Sequence, residues 1–422
     1  MRRLINNRPA LTPPAGTRDL LPPEAARRRA VARSLTETFE RFGYELITTP
    51  PFEYEATLER GLEMIDRRDL LRFVEPETGE TALLRPDFTP QIARVVASHA
   101  HERPSPWRLY YEGTVVRRQR KRARRQRQVT QVGVEHIGSN DVQADAEILE
   151  LACATVRAAG LTDFFLELRH PGFGGSLLGH VDSSWRSPIA EALSSKDHAD
   201  LRRLLRQASV PKPIASAIAR LPELYGDKGV LKEAKRMARS APMKTALRTI
   251  HDVIEHLSRQ GLAARIRLDL GELRGMSYYT GLSFALLAHG PGEPIGSGGR
   301  YDDLLGRFGT PLPATGFAID VDHLSWALER AGAGGPNDKR LRLVARGSDK
   351  AIERLRAEGV IVARWISSTD KGLLEFARAW GYSAAAIEKR GSWELIGARD
   401  GKRQRIAQPL TASVIAERAQ EK

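Results

Sequence analysis

VVRRQRKRARRQRQVTQVGVE, residues 115–135, decides how the chain folds. Eight of the eleven residues from Arg117 to Arg127 are Lys or Arg. A charge run of this density usually marks a solvated tail. Here "WRLYYEGTVVRR" enters it and "RQVTQVGVEHIG" leaves it, and both are rich in β-branched and aromatic residues. They read as two strands of a long antiparallel hairpin, with the basic run between them inside a fold. Alternation then puts Val129, Gln131, Gly133 and Glu135 on one face. Gln131 and Glu135 would lie about 13 Å apart, with Gly133 between them lacking a side chain. That predicts a hollow with an amide on one side and a carboxylate on the other, suited to a small polar cation. A solvent-facing strand would carry the same residues, so this strand alone does not choose.

The bulk numbers set bounds. The 422 residues are 41% hydrophobic and 28% charged, an ordinary globular composition for two or three domains. The net charge of +14 favours anionic partners or reflects a basic background, and it does not bear on fold. A single cysteine, Cys153, allows no internal disulfide and reads as a small buried hydrophobe. No Cys/His cluster has metal spacing, and no metal or cofactor is expected. Apolar runs fall short of a membrane span, and "MRRLINNRPALTPPAG" lacks the apolar core of a signal peptide. A cytoplasmic protein without membrane attachment is expected.

Along the chain, "LLPPEAARRRAVARSLTETFERFG" reads as a helix stopped by Gly43, and "YELITTPPFEY" as a strand ended by prolines. "TALLRPDFTPQIARVVASHA" reads as strand, turn and helix, with Pro90 opening the helix. "DVQADAEILELACATVRAAG" is a helix closed by Gly160. Residues 174–260 turn helical and Leu/Ala-rich, which predicts a helical insert. Strands return in "ARIRLDLGEL", "SYYTGLSFALLAHG" and "GEPIGSGGRYDDLLGRFG". "AGAGGPNDKR" reads as a linker over 333–340. The expected organisation is therefore a core over 1–332, that linker, and a small α/β domain over 341–422.

Other constellations are weak singly. Asp87 and Thr89 in "LRPDFTPQIAR" fit a helix cap. "RGMSYYTG" carries Arg274, Tyr278 and Tyr279; adjacent strand residues would point to opposite faces, burying one tyrosine. Gly296, Gly298 and Gly299 predict a bulge or a close approach of ligand or backbone. No phosphate loop or dinucleotide fingerprint is present.

In order and spacing, these pieces together resemble the class II aminoacyl-tRNA synthetase core, and specifically histidyl-tRNA synthetase, over roughly Pro14 to Gly332. "GYELITTPPFE" is similar to the dimer-forming motif. "LRPDFTPQIAR" is similar to the segment that holds the amino group of histidine. Arg117 falls where the second motif has its catalytic Arg, and "TQVGVE" resembles the strand that binds histidine. "RGMSYYTG" resembles the histidine-specific signature, and "GSGGRYDDLL" with "ATGFAIDVDHL" the third motif. The fold this implies is α+β: a six-stranded antiparallel sheet with flanking helices, plus the small C-terminal domain as a reduced anticodon-binding domain.

The ATP half departs from the family. His323 stands where the third-motif Arg would be, and a neutral imidazole cannot replace a bidentate guanidinium. Gln119 replaces the Glu that meets adenine, Lys121 to Arg124 replace a Pro-Gln-x-Gly turn, and Met276 and Ser277 replace Leu and Asp. The histidine half stands: Asp87, Thr89, Arg117, Gln131, Glu135, Arg274, Tyr278 and Tyr279 match. Chemically, carboxylate and hydroxyl suit an ammonium, Arg suits a carboxylate, and Glu with Tyr suits the imidazole nitrogens. A chain that keeps amino-acid recognition and loses ATP chemistry resembles the regulatory subunits of ATP phosphoribosyltransferase.

That resemblance implies a non-catalytic subunit for the first step of histidine biosynthesis, mediating feedback by free histidine. It would form a hetero-oligomer with a short-form catalytic subunit and self-associate through the class II dimer interface, with no tRNA partner. The rival readings are an active histidyl-tRNA synthetase with an atypical ATP site and a synthetase-derived RNA-binding module using the basic strip. The strip lacks interleaved aromatics for base stacking.

Overall fold

The computed structural model describes residues 11–62, 65, 67–117, 126–273, 278–333, 341–407 and 409–420. The chain divides into two compact units: Met1–Asp19 with Val31–Pro336, and Leu20–Ala30 with Asn337–Lys422. The sequence reading groups residues 20–30 with the core.

Helix α1 (Glu24–Arg41), in the first unit from Val31 on, ends at Gly43, whose φ of 77° suits a residue without a side chain, and leads to a two-residue strand, β1 (Glu45–Leu46). The expected strand "YELITTPPFEY" is thus short, because paired prolines at 50 and 51 remove ladder donors. Its far end joins a separate sheet of β2 (Phe52–Tyr54), β3 (Arg72–Val74) and β4 (Thr81–Leu84), in order β2-β4-β3, beside helix α2 (Glu55–Leu58). Helix α3 (Thr89–His99) follows with Pro90 in its first turn. The long hairpin forms as expected from β5 (Trp107–Val116) and β6 (Gln128–Ile137), and the Arg117 N–H donates to the Arg127 carbonyl beyond it at 2.9 Å. Residues 118–125 of the basic strip lie outside the described residues.

Helix α4 (Val142–Ala158) starts on Asp141, whose carboxylate accepts from the Gln143 N–H at 2.9 Å. Then come β7 (Phe165–Arg169) and helices α5 (Pro171–Leu178), α6 (Ser183–Ser194), α7 (His198–Gln207) and α8 (Lys212–Arg220). After β8 (Tyr225–Gly226) come α9 (Val230–Met237) and α10 (Ala241–Arg259). The chain returns through β9 (Ile266–Asp269), β10 (Ser283–Leu287), β11 (Gly296–Arg300), β12 (Ala314–Asp320) and α11 (Val321–Arg330). The sheet order is β1-β5-β6-β12-β11-β10-β7-β9-β8. Its central run from β5 to β7 is antiparallel throughout, the six-stranded sheet expected, with β1 and β9 added in parallel at its two sides. The helices between β7 and β9 share one apolar core with this sheet; Leu193, Leu205 and Ile250 pack in the same cluster as Val132, Val134 and Phe317.

The second unit has strands β13 (Arg342–Arg346), β14 (Ile361–Arg364), β15 (Ala384–Lys389), β16 (Ser392–Gly397) and β17 (Arg403–Ile406), in order β14-β13-β15-β16-β17. Helices α12 (Asp349–Ala357), α13 (Leu373–Ala379) and α14 (Ala412–Gln420) accompany them. Alternation gives this sheet two apolar faces, one holding Ala345, Trp393 and Leu395, the other Val344, Ile387 and Ile396.

A buried ion pair ties the first unit together behind the sheet. Arg300 Nε at the end of β11 donates to both carboxylate oxygens of Asp145 on α4, at 3.0 Å each, and Nη1 donates to the Ser139 carbonyl at 2.9 Å. Asp145→Ala leaves a buried guanidinium without its main partner. The expected loss is about 3 kcal/mol, read as a shift in the urea midpoint of the first unit's unfolding.

Candidate functional site

The register gives the central sheet two unlike faces. One carries Tyr110, Val132, Val134, Phe317, Phe284 and Leu168, all in the large core. The other carries small and polar side chains: Gly113 on β5, Gln131, Gly133 and Glu135 on β6, Gly316 and Ala318 on β12, and Ser297 and Gly299 on β11. A one-residue slip would exchange the two sets, so core burial on the first face fixes what the second displays. Small residues leave room for longer side chains to lie flat across the strands. A Cβ at Gly316 would stand 2.0 Å from Glu135 Oε2, and one at Gly133 would stand 2.4 Å from the Tyr111 hydroxyl oxygen.

The hollow expected over Gly133 is therefore filled. Tyr111 lies across it from the neighbouring strand and stacks on Phe88, with centroids 4.3 Å apart. Sequence spacing along β6 cannot show this, because Tyr111 enters through the β5 register, where it sits opposite Gly133.

Glu135 is the centre of the site and is 1% exposed. Its Oε1 accepts from the Thr89 hydroxyl at the start of α3 at 2.6 Å, and its Oε2 accepts from the Tyr301 hydroxyl. The hydrogen bonds do not offset the burial, and the nearby Asp87 charge adds to it, so the carboxyl is pushed up to about 8. Asp87 accepts from the Phe88 N–H at 2.8 Å. Burial raises its carboxyl as well, opposed in part by the Arg117 guanidinium. Arg117 also reaches the Pro86 carbonyl at 3.5 Å.

Tyr278 and Tyr279 do not diverge to opposite faces. They lie in a turn before β10, with ring centroids 5.2 Å apart and edge to face, and both are half-buried. Tyr278 also stacks on Tyr301 at 5.5 Å. Burial and the Asp87 and Glu135 charges raise both hydroxyls, so each remains a neutral donor. Gln131 is buried, and among the described residues its Oε1 has no hydrogen-bond partner. Unsatisfied buried polar atoms on a site floor are what a polar ligand satisfies.

The structure thus gathers Asp87, Thr89, Arg117, Glu135, Tyr278 and Tyr279, with Gln131 on the same sheet face. Arg274, Met276 and Ser277 lie outside the described residues. Tyr111 and Tyr301 are added. Tyr301 follows the glycine-rich β11, and "GGRYD" drew attention to its glycines rather than to the tyrosine. Arg169 also belongs here: it pairs with Glu167 on β7, and its charge opposes in small part the rise of the Tyr279 hydroxyl.

His323 stands in the first turn of α11, where its N–H donates to the capping Asp320 carboxylate at 3.0 Å. Its Nδ1 lies 3.1 Å from the Pro294 carbonyl, a contact that needs the Nδ1–H tautomer. The imidazole thus faces the Pro294 carbonyl and, at 3.5 Å, an oxygen of the Asp320 carboxylate. Gln119 and Lys121 to Arg124 lie outside the described residues. Among the described residues no group of three or more His, Cys, Asp or Glu could hold a metal ion, and no helix is long and apolar enough to cross a membrane.

The raised Glu135 carboxyl has a stability signature. Because its folded value lies above its ordinary 4.5, its contribution is fully present below about pH 4.5 and fades as pH rises through about 8. Glu135→Gln is expected to flatten the fall of melting temperature across that window. An unchanged slope would place the ionisation elsewhere.

Comparison with known proteins agrees with this geometry. The family model for histidyl-tRNA synthetase matches residues 16–324. The ATP phosphoribosyltransferase regulatory subunit of Anaeromyxobacter dehalogenans (strain 2CP-C) is 39% identical over 339 residues, covering 80% of this chain and 97% of that protein. That of Geobacter metallireducens is 36% identical over 374 residues, 86% of each chain. The crystal structure of an ATP phosphoribosyltransferase regulatory subunit/histidyl-tRNA synthetase from Bacillus halodurans superposes with a TM-score of 0.78 at 29% identity, over 90% of this chain and all of that one. Histidyl-tRNA synthetase from Nostoc sp. PCC 7120 shares the fold, with a TM-score of 0.80 at 20% identity, over 98% of this chain and 99% of that one. With its class II synthetase-like sheet and these relatives, the chain belongs to the family of ATP phosphoribosyltransferase regulatory subunits.

Proposed function

We propose that this chain is the non-catalytic regulatory subunit of ATP phosphoribosyltransferase and that it binds free histidine in the cleft over β6. The observation that carries the histidine site is the buried Glu135, set among Thr89, Tyr301 and Asp87, with the Gln131 amide oxygen further along the same sheet face. Two carboxyls with raised pKa values, opposed among the described residues by the Arg117 guanidinium at Asp87 alone, suit a positive ligand. An α-ammonium suits Asp87 and Thr89, and an imidazole suits Glu135 and the Tyr278–Tyr279 pair. Arg274 is the expected partner of the ligand's carboxylate.

The transfer chemistry belongs to a short-form catalytic subunit, with which this chain forms a hetero-oligomer. Histidine lowers flux only if it binds one state of that assembly more tightly than the other. Self-association through the class II dimer interface completes the assembly. The reading of the ATP half as lost rests on His323, engaged with Pro294 and Asp320 where adenylation needs a fixed guanidinium. A cytoplasmic setting follows from a role in histidine biosynthesis.

Three measurements test this. Calorimetry should show histidine binding that weakens at least tenfold in Glu135→Ala and Tyr279→Ala, while both variants still assemble with the catalytic subunit; unchanged affinity would sink the pocket assignment. Near pH 7, binding a cation beside Glu135 should release protons, seen as a heat that varies with buffer ionisation enthalpy and shrinks in Glu135→Gln. Histidine-dependent pyrophosphate exchange with ATP should be absent from the purified chain. Clear exchange would replace the regulatory reading by an active synthetase.

A further inference from the structure

The second unit carries a cleft that the histidine site does not use. It is an open groove of about 720 Å³ at the tip of the β15–β16 hairpin and along β16 and β17. That volume is the size of an ordinary small-molecule site, and far more than a lone phosphate fills. The hairpin closes with Lys389 opposite Ser392. The two residues between, Arg390 and Gly391, have φ of 49° and 79°, the left-handed pair that a tight two-residue turn requires. The turn holds Arg390 at the rim. One row of the sheet then runs Arg346, Ile387, Glu394 and Arg405 across four strands, on the face that α13 covers only further along.

Five cations line this cleft, Arg346, Lys389, Arg390, Arg403 and Arg405, against two carboxylates. Both carboxylates are engaged inside the wall. Glu394 accepts from Lys389 at 2.7 Å and from Arg403 at 3.0 Å, and these cations hold its carboxyl below the usual range. Glu388 accepts from the Ser348 N–H at 2.6 Å. Arg346 is neutralised by Asp370, to which its Nε donates at 2.7 Å. Arg390 and Arg405 are exposed and have no such partner among the described residues, so the uncompensated charge of the cleft is cationic and sits on two guanidinium forks. Guanidinium forks match phosphate oxygens in bidentate geometry.

We propose that this cleft of the C-terminal unit is a binding site for a small polyphosphate anion of nucleotide size, a nucleoside di- or triphosphate, with Arg390 and Arg405 on its phosphates. The site belongs to the second unit and does not rest on the histidine reading. The test is calorimetric titration of the full chain with ATP and with inorganic pyrophosphate. Saturable binding is expected, weakened about tenfold or more in the Arg390→Ala/Arg405→Ala double variant. Arg202→Ala, an exposed cation on α7, should leave it unchanged, and histidine affinity should be the same in every variant. Absence of saturable binding, or equal weakening by Arg202→Ala, overturns the proposal, because bulk charge would then account for it. Affinity that rises with chain length from nucleotide to a single-stranded RNA oligomer, with loss in the double variant, overturns it too and assigns the cleft to RNA.

Discussion

One buried carboxylate organises the first unit's polar face. Glu135 projects from the middle of the central sheet, and its two oxygens reach Thr89 at the start of α3 and Tyr301 beyond β11. Three segments far apart in sequence are thereby held to one group. The cost is a carboxyl kept largely protonated at neutral pH by desolvation. The same condition makes the group responsive, since a cation arriving beside it restores the ionised form. Stability of the empty protein and affinity for a cationic ligand are linked through that single proton.

The sheet makes this arrangement affordable by dividing its faces. Bulky apolar residues on one side merge with the helices of residues 171–259 into a single core. The other side is kept low by Gly133 and Gly316, so that Tyr111 and Glu135 can lie across neighbouring strands. A methyl group at either glycine would meet these side chains inside van der Waals contact. The second unit follows the same logic on a smaller scale. Its sheet is apolar on both faces, and its charge gathers where the helices stop covering it.

Much of the fold was legible in the chain. The β5–β6 hairpin could be read from β-rich ends flanking the basic run, the α4 helix from its run of helix formers closed by Gly160, and the linear order of motifs from their spacing. The parity of β6 was also legible, with Gln131, Gly133 and Glu135 on one face. The site was legible only in part. Thr89 and Asp87 look like helix-cap residues until the fold brings Glu135 to Thr89. Adjacent tyrosines in a strand would diverge, but Tyr278 and Tyr279 lie in a turn and meet edge to face. Tyr301 and Tyr111 carry no local signal, since their roles arise from strand pairing.

Sequence by itself determined the alternation of each strand, the caps and stops of the helices, and the presence of an imidazole at position 323. These depend on residue type and on near neighbours along the chain, where backbone geometry leaves few choices. Tertiary structure decided what occupies the space above Gly133, which hydroxyls meet Glu135, and which cations at the β15–β16 tip remain uncompensated. Those depend on distances between residues remote in sequence, and on how far burial removes each charge from water.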